Sequence, residues 1–137
     1  MSVKFFIDTN IFIYLNDHAS FEKQKKSRAK LEEIYSQGTG VISTQVLQEF
    51  YVVSTKKFKL PPVEVRKQVE SMLDFEVINI DVPLIKEAID SSILDQISYW
   101  DALIVASAQK GGCDHVLTED LNHDQVIKGV KIVNIFK

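Results

Sequence analysis

The chain has 137 residues, 45% hydrophobic and 26% charged, with only five glycines and three prolines. That composition is ordinary for a globular domain and excludes disordered, collagenous and low-complexity classes. The length suits one domain covering residues 1–137, and 16 basic against 19 acidic residues leave a net charge of -3, which alone argues against a partner as negative as nucleic acid.

Val3 to Ile7 is a short β-prone run, and Asp8-Thr9-Asn10 ends it with residues that favour turns and helix caps. A helix is expected from Ile11 to Leu15 and another from Ser20 to Gln37, stopped by Gly38. Val41 and Ile42 give a second strand ending at Ser43. Val46, Leu47, Phe50 and Val53 then recur at helical spacing to about Lys57, with Glu49 on that helix. Pro61 and Pro62 break the chain and start a helix to about Leu73, Val77 to Ile80 is a third strand, and Pro83 to Leu94 is helical. Ser98-Tyr99-Trp100-Asp101 opens an apolar helix, Ala102 to Ala108, buried nearly all round and closed by Gly111-Gly112. His115 to Leu117 and Val130 to Ile135 are the last strands, with a polar stretch, Glu119 to Gln125, between them.

The apolar region from Phe5 to Leu15 is interrupted by Asp8 and Asn10 and falls short of the roughly 20 residues a membrane span needs. The same two residues argue against a secretory signal. No membrane association and a cytoplasmic location are the expectation, and the lone Cys113, unable to form an internal disulfide, agrees with a reducing compartment. Alternating strands and helices imply an α/β fold with a mainly parallel central sheet covered on both faces. Ligands of such sheets gather outside the carboxyl ends of the strands, and Asp8, Ser43 and Thr118-Glu119-Asp120 all fall there.

Four acids, Asp8, Glu49, Asp101 and Asp120, are flanked by core-forming residues. Each has a plainer reading taken alone: Asp8 as a helix cap, Asp101 as part of a Ser98-x-x-Asp101 capping box, Glu49 as a solvated helix position, Asp120 as a turn residue. Together they are harder to dismiss, because the strand-end rule brings all four to one edge. Two carboxylates about 5 Å apart at an effective dielectric near 20 repel by roughly 3 kcal/mol, so such a cluster calls for protons or cations. Hard oxygen donors without clustered His or Cys suit Mg2+ or Mn2+. Such ions serve phosphodiester hydrolysis, with Thr9, Asn10, Ser43 and Thr118 as supporting polar neighbours.

Asp8-Thr9-Asn10-Ile11, Ser43-x5-Glu49-Phe50-Tyr51, Tyr99-Trp100-Asp101-Ala102-Leu103-Ile104 and Thr118-Glu119-Asp120-Leu121, in this order, resemble the PIN domain, especially the VapC-like toxin ribonucleases of bacteria and archaea. The resemblance runs from end to end of the chain. It implies a three-layer α/β/α sandwich, Mg2+ or Mn2+ held by Asp8, Glu49, Asp101 and Asp120, and endonucleolytic cleavage of RNA. It also implies a homodimer and a small antitoxin protein that inserts into or beside the cleft and holds the protein inactive. Asn134-Ile135-Phe136 departs from the Asn-Pro-Phe expected of close relatives and puts the end of the last strand in question, and Asp124 is an extra acid without an assigned role. Two bound divalent ions would add about four positive charges and reverse the sign of the cleft. Lys56, Lys57 and Lys59 are candidate RNA contacts. Lys23, Lys25, Lys26, Arg28 and Lys30 read as a solvated helix face, and Tyr99 and Trp100 as core packing rather than base stacking.

Other signals are weak. His18, His115 and His123 lack ligand spacing, Gly38-Thr39-Gly40 precedes a strand and lacks a third glycine, and no nucleophile-elbow motif supports a Ser43–His123 triad. An aspartyl-phosphate hydrolase would want a second aspartate at position 10, where Asn10 stands. A phosphoacceptor switch would want a strand-end lysine beside the acids. A non-catalytic RNA-binding module is opposed by the presence of all four acids.

Overall fold

The computed structural model describes residues 3–137. Among the described residues, six strands form one sheet in the order β3-β2-β1-β4-β6-β5: β1 (Phe5–Ile7), β2 (Gly40–Ser43), β3 (Glu76–Ile78), β4 (His115–Leu117), β5 (Val126–Ile127) and β6 (Val130–Val133). All pairings are parallel except that of β5 with β6. The helices are α1 (Thr9–Ile13, followed by a 3-10 turn, Tyr14–Asn16), α2 (Phe21–Gln37), α3 (Thr44–Lys56), α4 (Pro62–Met72), α5 (Val82–Asp95) and α6 (Tyr99–Lys110). Right-handed crossovers run outward from β1 through β2 to β3 and so put α1 to α4 on one face. The return from β3 to β4 puts the packed pair α5 and α6 on the other. The result is the expected three-layer α/β/α sandwich.

Local chemistry explains most boundaries. Gly38, at φ 65°, closes α2 by giving its N–H to the carbonyls of Ile34 and Tyr35, a left-handed cap suited to glycine. Asp81 caps α5 by accepting from Leu84 N–H at 3.0 Å, and Ser98 Oγ caps α6 by accepting from Asp101 N–H at 3.1 Å. The central strands are buried on both faces: Phe6, Ile7, Val41, Ile42, Val116, Leu117 and Ile132 are all inaccessible, as expected of parallel strands between two helical layers. Every residue of α6 from Ala102 to Ala108 is buried, so this helix is the apolar slab of its layer. Among the described residues, no helix is long and apolar enough to cross a membrane.

Three strand expectations need correction. β3 lies at Glu76–Ile78, not Val77–Ile80, because Ile80 N–H leaves the sheet to bond Thr44 Oγ1 at 3.3 Å. β6 stops at Val133, not Ile135, since Asn134 Oδ1 turns back to accept from Phe136 N–H at 2.9 Å. The segment read as a polar connection continues into an unexpected strand, β5. It joins β6 through Lys128 and Gly129 at φ 50° and 80°, the paired positive angles of a two-residue hairpin.

Candidate active site

The order of the sheet reverses between β1 and β4, and the crevice beyond the strand ends at such a reversal is where ligands bind. Asp8 leaves β1 and Thr118 leaves β4 side by side, tied by Asp8 N–H to Leu117 carbonyl at 3.0 Å. Asp8 caps α1, one carboxylate oxygen accepting from Thr9 N–H at 2.7 Å and the other from the Thr118 hydroxyl at 2.7 Å. Thr118 Oγ1 in turn accepts from Asp120 N–H at 3.1 Å. Thr9 donates its hydroxyl to Glu49 at 2.8 Å, and Asn10 donates its amide to Asp120 at 3.4 Å. Thr9, Asn10 and Thr118 thus set the positions of three carboxylates.

Asp8, Glu49, Asp101 and Asp120 line one cleft of about 220 Å³, with Ile13, Val53 and Ile104 as its apolar part. The four acids differ in exposure. Asp8 is only 8% exposed and Asp101 is half-buried, whereas Glu49 and Asp120 stand exposed at the rim, so only two of the four lie beside the core. Burial pushes the Asp8 carboxyl up to about 6, against the lowering effect of its Thr118 and Thr9 hydrogen bonds; Asp120 and Glu49 add repulsion. The Asp120 carboxyl is also raised, first by partial desolvation and then by the Asp101 charge. A carboxyl whose ionisation is pushed toward neutral pH in an anionic cleft makes that cleft a candidate functional site.

All donors facing the cleft are hard oxygen or amide groups, and no His or Cys lines it, a donor set that suits Mg2+ or Mn2+. As the side chains stand, no three ligand-type residues among those described converge closely enough to enclose one ion. The expected set of four metal carboxylates is therefore a cleft lining and not a preformed cage. The local hydrogen bonds run to protein groups: Asp8 accepts from Thr9 N–H and Thr118, Glu49 from the Thr9 hydroxyl and Asp120 from Asn10. A cation that keeps several waters and binds one or two carboxylates directly, the habit of Mg2+, fits such a lining.

Ser43, expected as a supporting group, is fully buried at the end of β2, outside the cleft lining, and its hydroxyl has no partner. Gln45 lines the cleft instead, and its buried amide oxygen is unpartnered. Its signal was present in the sequence: Gln45, Glu49 and Val53 repeat every four residues along one face of α3. Trp100, expected in the core, is 62% exposed at the cleft, because the buried run of α6 begins only at Ala102. Tyr99 packs on the core as expected.

Lys56, Lys57 and Lys59 are exposed, and Lys57 continues the Glu49–Val53 row one turn beyond the cleft. Lys23 is not simply solvated: its ammonium pairs with Glu119 at 2.9 Å and donates to the Tyr14 hydroxyl at 3.1 Å, and that hydroxyl donates to Glu119. This trio anchors the loop that carries Asp120. Asp124 lies outside the cleft lining, at φ 67°, paired with Lys131 at 3.4 Å. His123 Nδ1 accepts from Asn134 N–H at 3.0 Å and His115 packs against Phe5. A groove of about 570 Å³ between α3 and α4 is larger than the acid cleft, but Arg66 is the one charged residue of its lining. Size alone does not mark the site.

Fold and cleft together define a three-layer α/β/α protein whose acidic centre sits at the reversal of a parallel sheet. A family model of the PIN domain matches residues 5–129, and the chain belongs to that family. No curated protein matches in sequence. Among solved structures, the fold is similar to that of a chain in a toxin-antitoxin complex from Klebsiella pneumoniae (TM-score 0.71, 22% identity, 98% of each chain covered). It is also similar to a chain of DNA-bound VapBC from Salmonella typhimurium (TM-score 0.70, 23% identity, 98% of this chain and 99% of that one). A third is the sarcin-ricin loop cleaving toxin VapC20 of Mycobacterium tuberculosis (TM-score 0.64, 16% identity, 82% and 87% covered). At these identities the likeness is one of fold.

Proposed function

We propose that the protein is a divalent-metal-dependent endoribonuclease that hydrolyses RNA phosphodiester bonds, the toxin half of a toxin-antitoxin pair. The observation that carries this reading is the convergence of Asp8, Glu49, Asp101 and Asp120 from four separate elements on one cleft. PIN family membership supports it, as do structural neighbours described as a toxin-antitoxin complex and as a sarcin-ricin loop cleaving toxin.

In this reading Asp8, Glu49, Asp101 and Asp120, which line the cleft together, would hold the metal. When bound, Mg2+ or Mn2+ supplies charge to the phosphodiester oxygens and lowers the pKa of the attacking water. The chain's own residues prepare that place: Thr118 and Thr9 fix the Asp8 oxygens, and Asn10 steers Asp120. Lys57 extends the α3 row, and with the neighbouring Lys56 and Lys59 it would offer cations to a phosphate backbone. A homodimer, a small antitoxin and a cytoplasmic setting belong to the same proposal. The exposed Val82, Ile89 and Ile93 on α5, at helical spacing, support a further protein surface there.

The test is cleavage of structured and unstructured RNA with Mg2+ or Mn2+ by wild type, Asp8→Asn and Asp101→Asn. The expected result is metal-dependent cleavage by wild type and a loss of a hundredfold or more in both variants, on the order of removing one electrostatic catalytic group. Equal cleavage in chelator, or undiminished cleavage by both variants, rules the mechanism out.

A further inference from the structure

Beside the acid cleft runs a second groove of about 440 Å³, and the two share Gln45, Glu49 and Trp100. Trp100 is the chain's single tryptophan. It is 62% exposed and propped edge-on by Tyr99, with ring centroids 5.0 Å apart at 71°. The indole thus stands at a steep angle against a ring that is itself packed on the core, and most of Trp100 is exposed. Gln45 and Gln48 bring two side-chain amides to the groove, and no lysine or arginine lines it.

This combination selects a kind of ligand. A phosphate would want cations, which the groove lacks. A purely apolar side chain would leave the amides unpaired, and the buried oxygen of Gln45 already has no partner. A flat, uncharged ring edged with hydrogen-bond donors and acceptors satisfies both the indole and the amides, and an unpaired nucleobase is such a group. We infer that the groove is a nucleobase subsite, in which a base flanking the scissile phosphate stacks on Trp100 while Gln45 and Gln48 bond its edge. The inference rests on the ribonuclease reading and names the feature of the RNA that the site would select: a single-stranded base next to the cut.

The single tryptophan makes the test direct. Single-stranded RNA hexamers of each base are titrated into wild type in chelator and into Asp8→Asn with Mg2+. Tryptophan emission and the anisotropy of end-labelled hexamer are followed together. Emission should be quenched in step with anisotropy and unequally among the four hexamers. Trp100→Phe should retain binding and Trp100→Ala should weaken it roughly five- to a hundredfold, the range for losing one stacked base. Gln48→Ala, at an exposed position, and Gln45→Ala should narrow the differences between hexamers. Because Trp100 is exposed, the Trp100→Ala thermal midpoint should stay at the wild-type value, separating lost stacking from lost fold.

Hexamers that bind without moving tryptophan emission, or that bind Trp100→Ala as tightly as wild type, overturn the subsite. So does an emission that answers only to apolar peptide and never to RNA. A parallel cleavage assay separates the two readings. Metal-dependent cleavage with silent emission removes the subsite alone, and quenching without cleavage removes the nuclease and leaves a base-binding groove.

Discussion

Substituting Asp8 by Asn removes the charge of the most buried carboxyl in the cleft while keeping its shape. The amide can still accept from Thr9 N–H, and the Thr118 hydroxyl, which already accepts from Asp120 N–H, has a second lone pair for the new N–H. The Asp8 carboxyl rises from 3.8 to about 6 on folding. It therefore holds its proton more tightly folded than unfolded. Its favourable contribution is complete below about pH 3.8 and is lost as pH rises through about 6. At about 1.4 kcal/mol per pH unit, that shift amounts to roughly 3 kcal/mol. In chelator, the stability of Asp8→Asn relative to wild type should therefore grow by about 3 kcal/mol from about pH 3.5 to about pH 7.5. Urea unfolding of both proteins across that range measures the difference directly, and the many other carboxylates cancel. A difference flat with pH would refute the claim that burial of an uncompensated charge sets the character of this cleft.

Three further outcomes follow from the same geometry. Thr118→Val deletes the hydroxyl that serves both Asp8 and Asp120 N–H; it should cost about 1–3 kcal/mol in unfolding free energy and move the acidic limb of any pH-activity profile upward, and an unshifted limb would contradict the assigned bond. If Lys56 and Lys57 follow the RNA backbone, the double alanine variant should lower the slope of log affinity against log salt by about 1.4, whereas an unchanged slope places them outside the interface. Gly40→Ala would set its Cβ 2.5 Å from Phe75 Cδ1 and 2.9 Å from Ile34 Cγ2, so thermal unfolding should show a loss of about 1–3 kcal/mol, and wild-type stability would mean that Phe75 moves freely.

Much of the architecture was legible because strong patterns met no competition. The strand at His115–Leu117, the capped start of α6 and the glycine stop of α2 all stand where the residues put them. β5 was hidden because it has only two residues and turns through Lys128-Gly129, a pair lacking the Asn-Gly or Asp-Gly signature of its hairpin. β3 was displaced because Ile80, apolar enough to be a strand residue, is drawn to the Thr44 hydroxyl instead.

At the site, the positions flanking strand ends could be read in advance, and four acids were brought together as that rule requires. What sequence could not give was depth. Asp8 and Asp120 look equivalent as strand-end aspartates, yet one is buried and the other stands at the rim. Nor could it say which face of the first turn of α6 looks outward: Tyr99 packs inward and Trp100 does not, a matter of one hundred degrees of helix rotation. Gln45 carries no charge to mark it in the sequence, although it lies one turn from Glu49.

The central claim is that a divalent cation, not a proton, balances the charge of this cleft. Manganese binding, followed by the loss of its free-ion electron paramagnetic signal at neutral pH, tests it most directly. Wild type should bind Mn2+ saturably, Mg2+ should displace it, and both Asp8→Asn and Asp120→Asn should weaken the binding at least tenfold. Wild type that leaves the Mn2+ signal unchanged, or variants that bind it equally well, would contradict the claim.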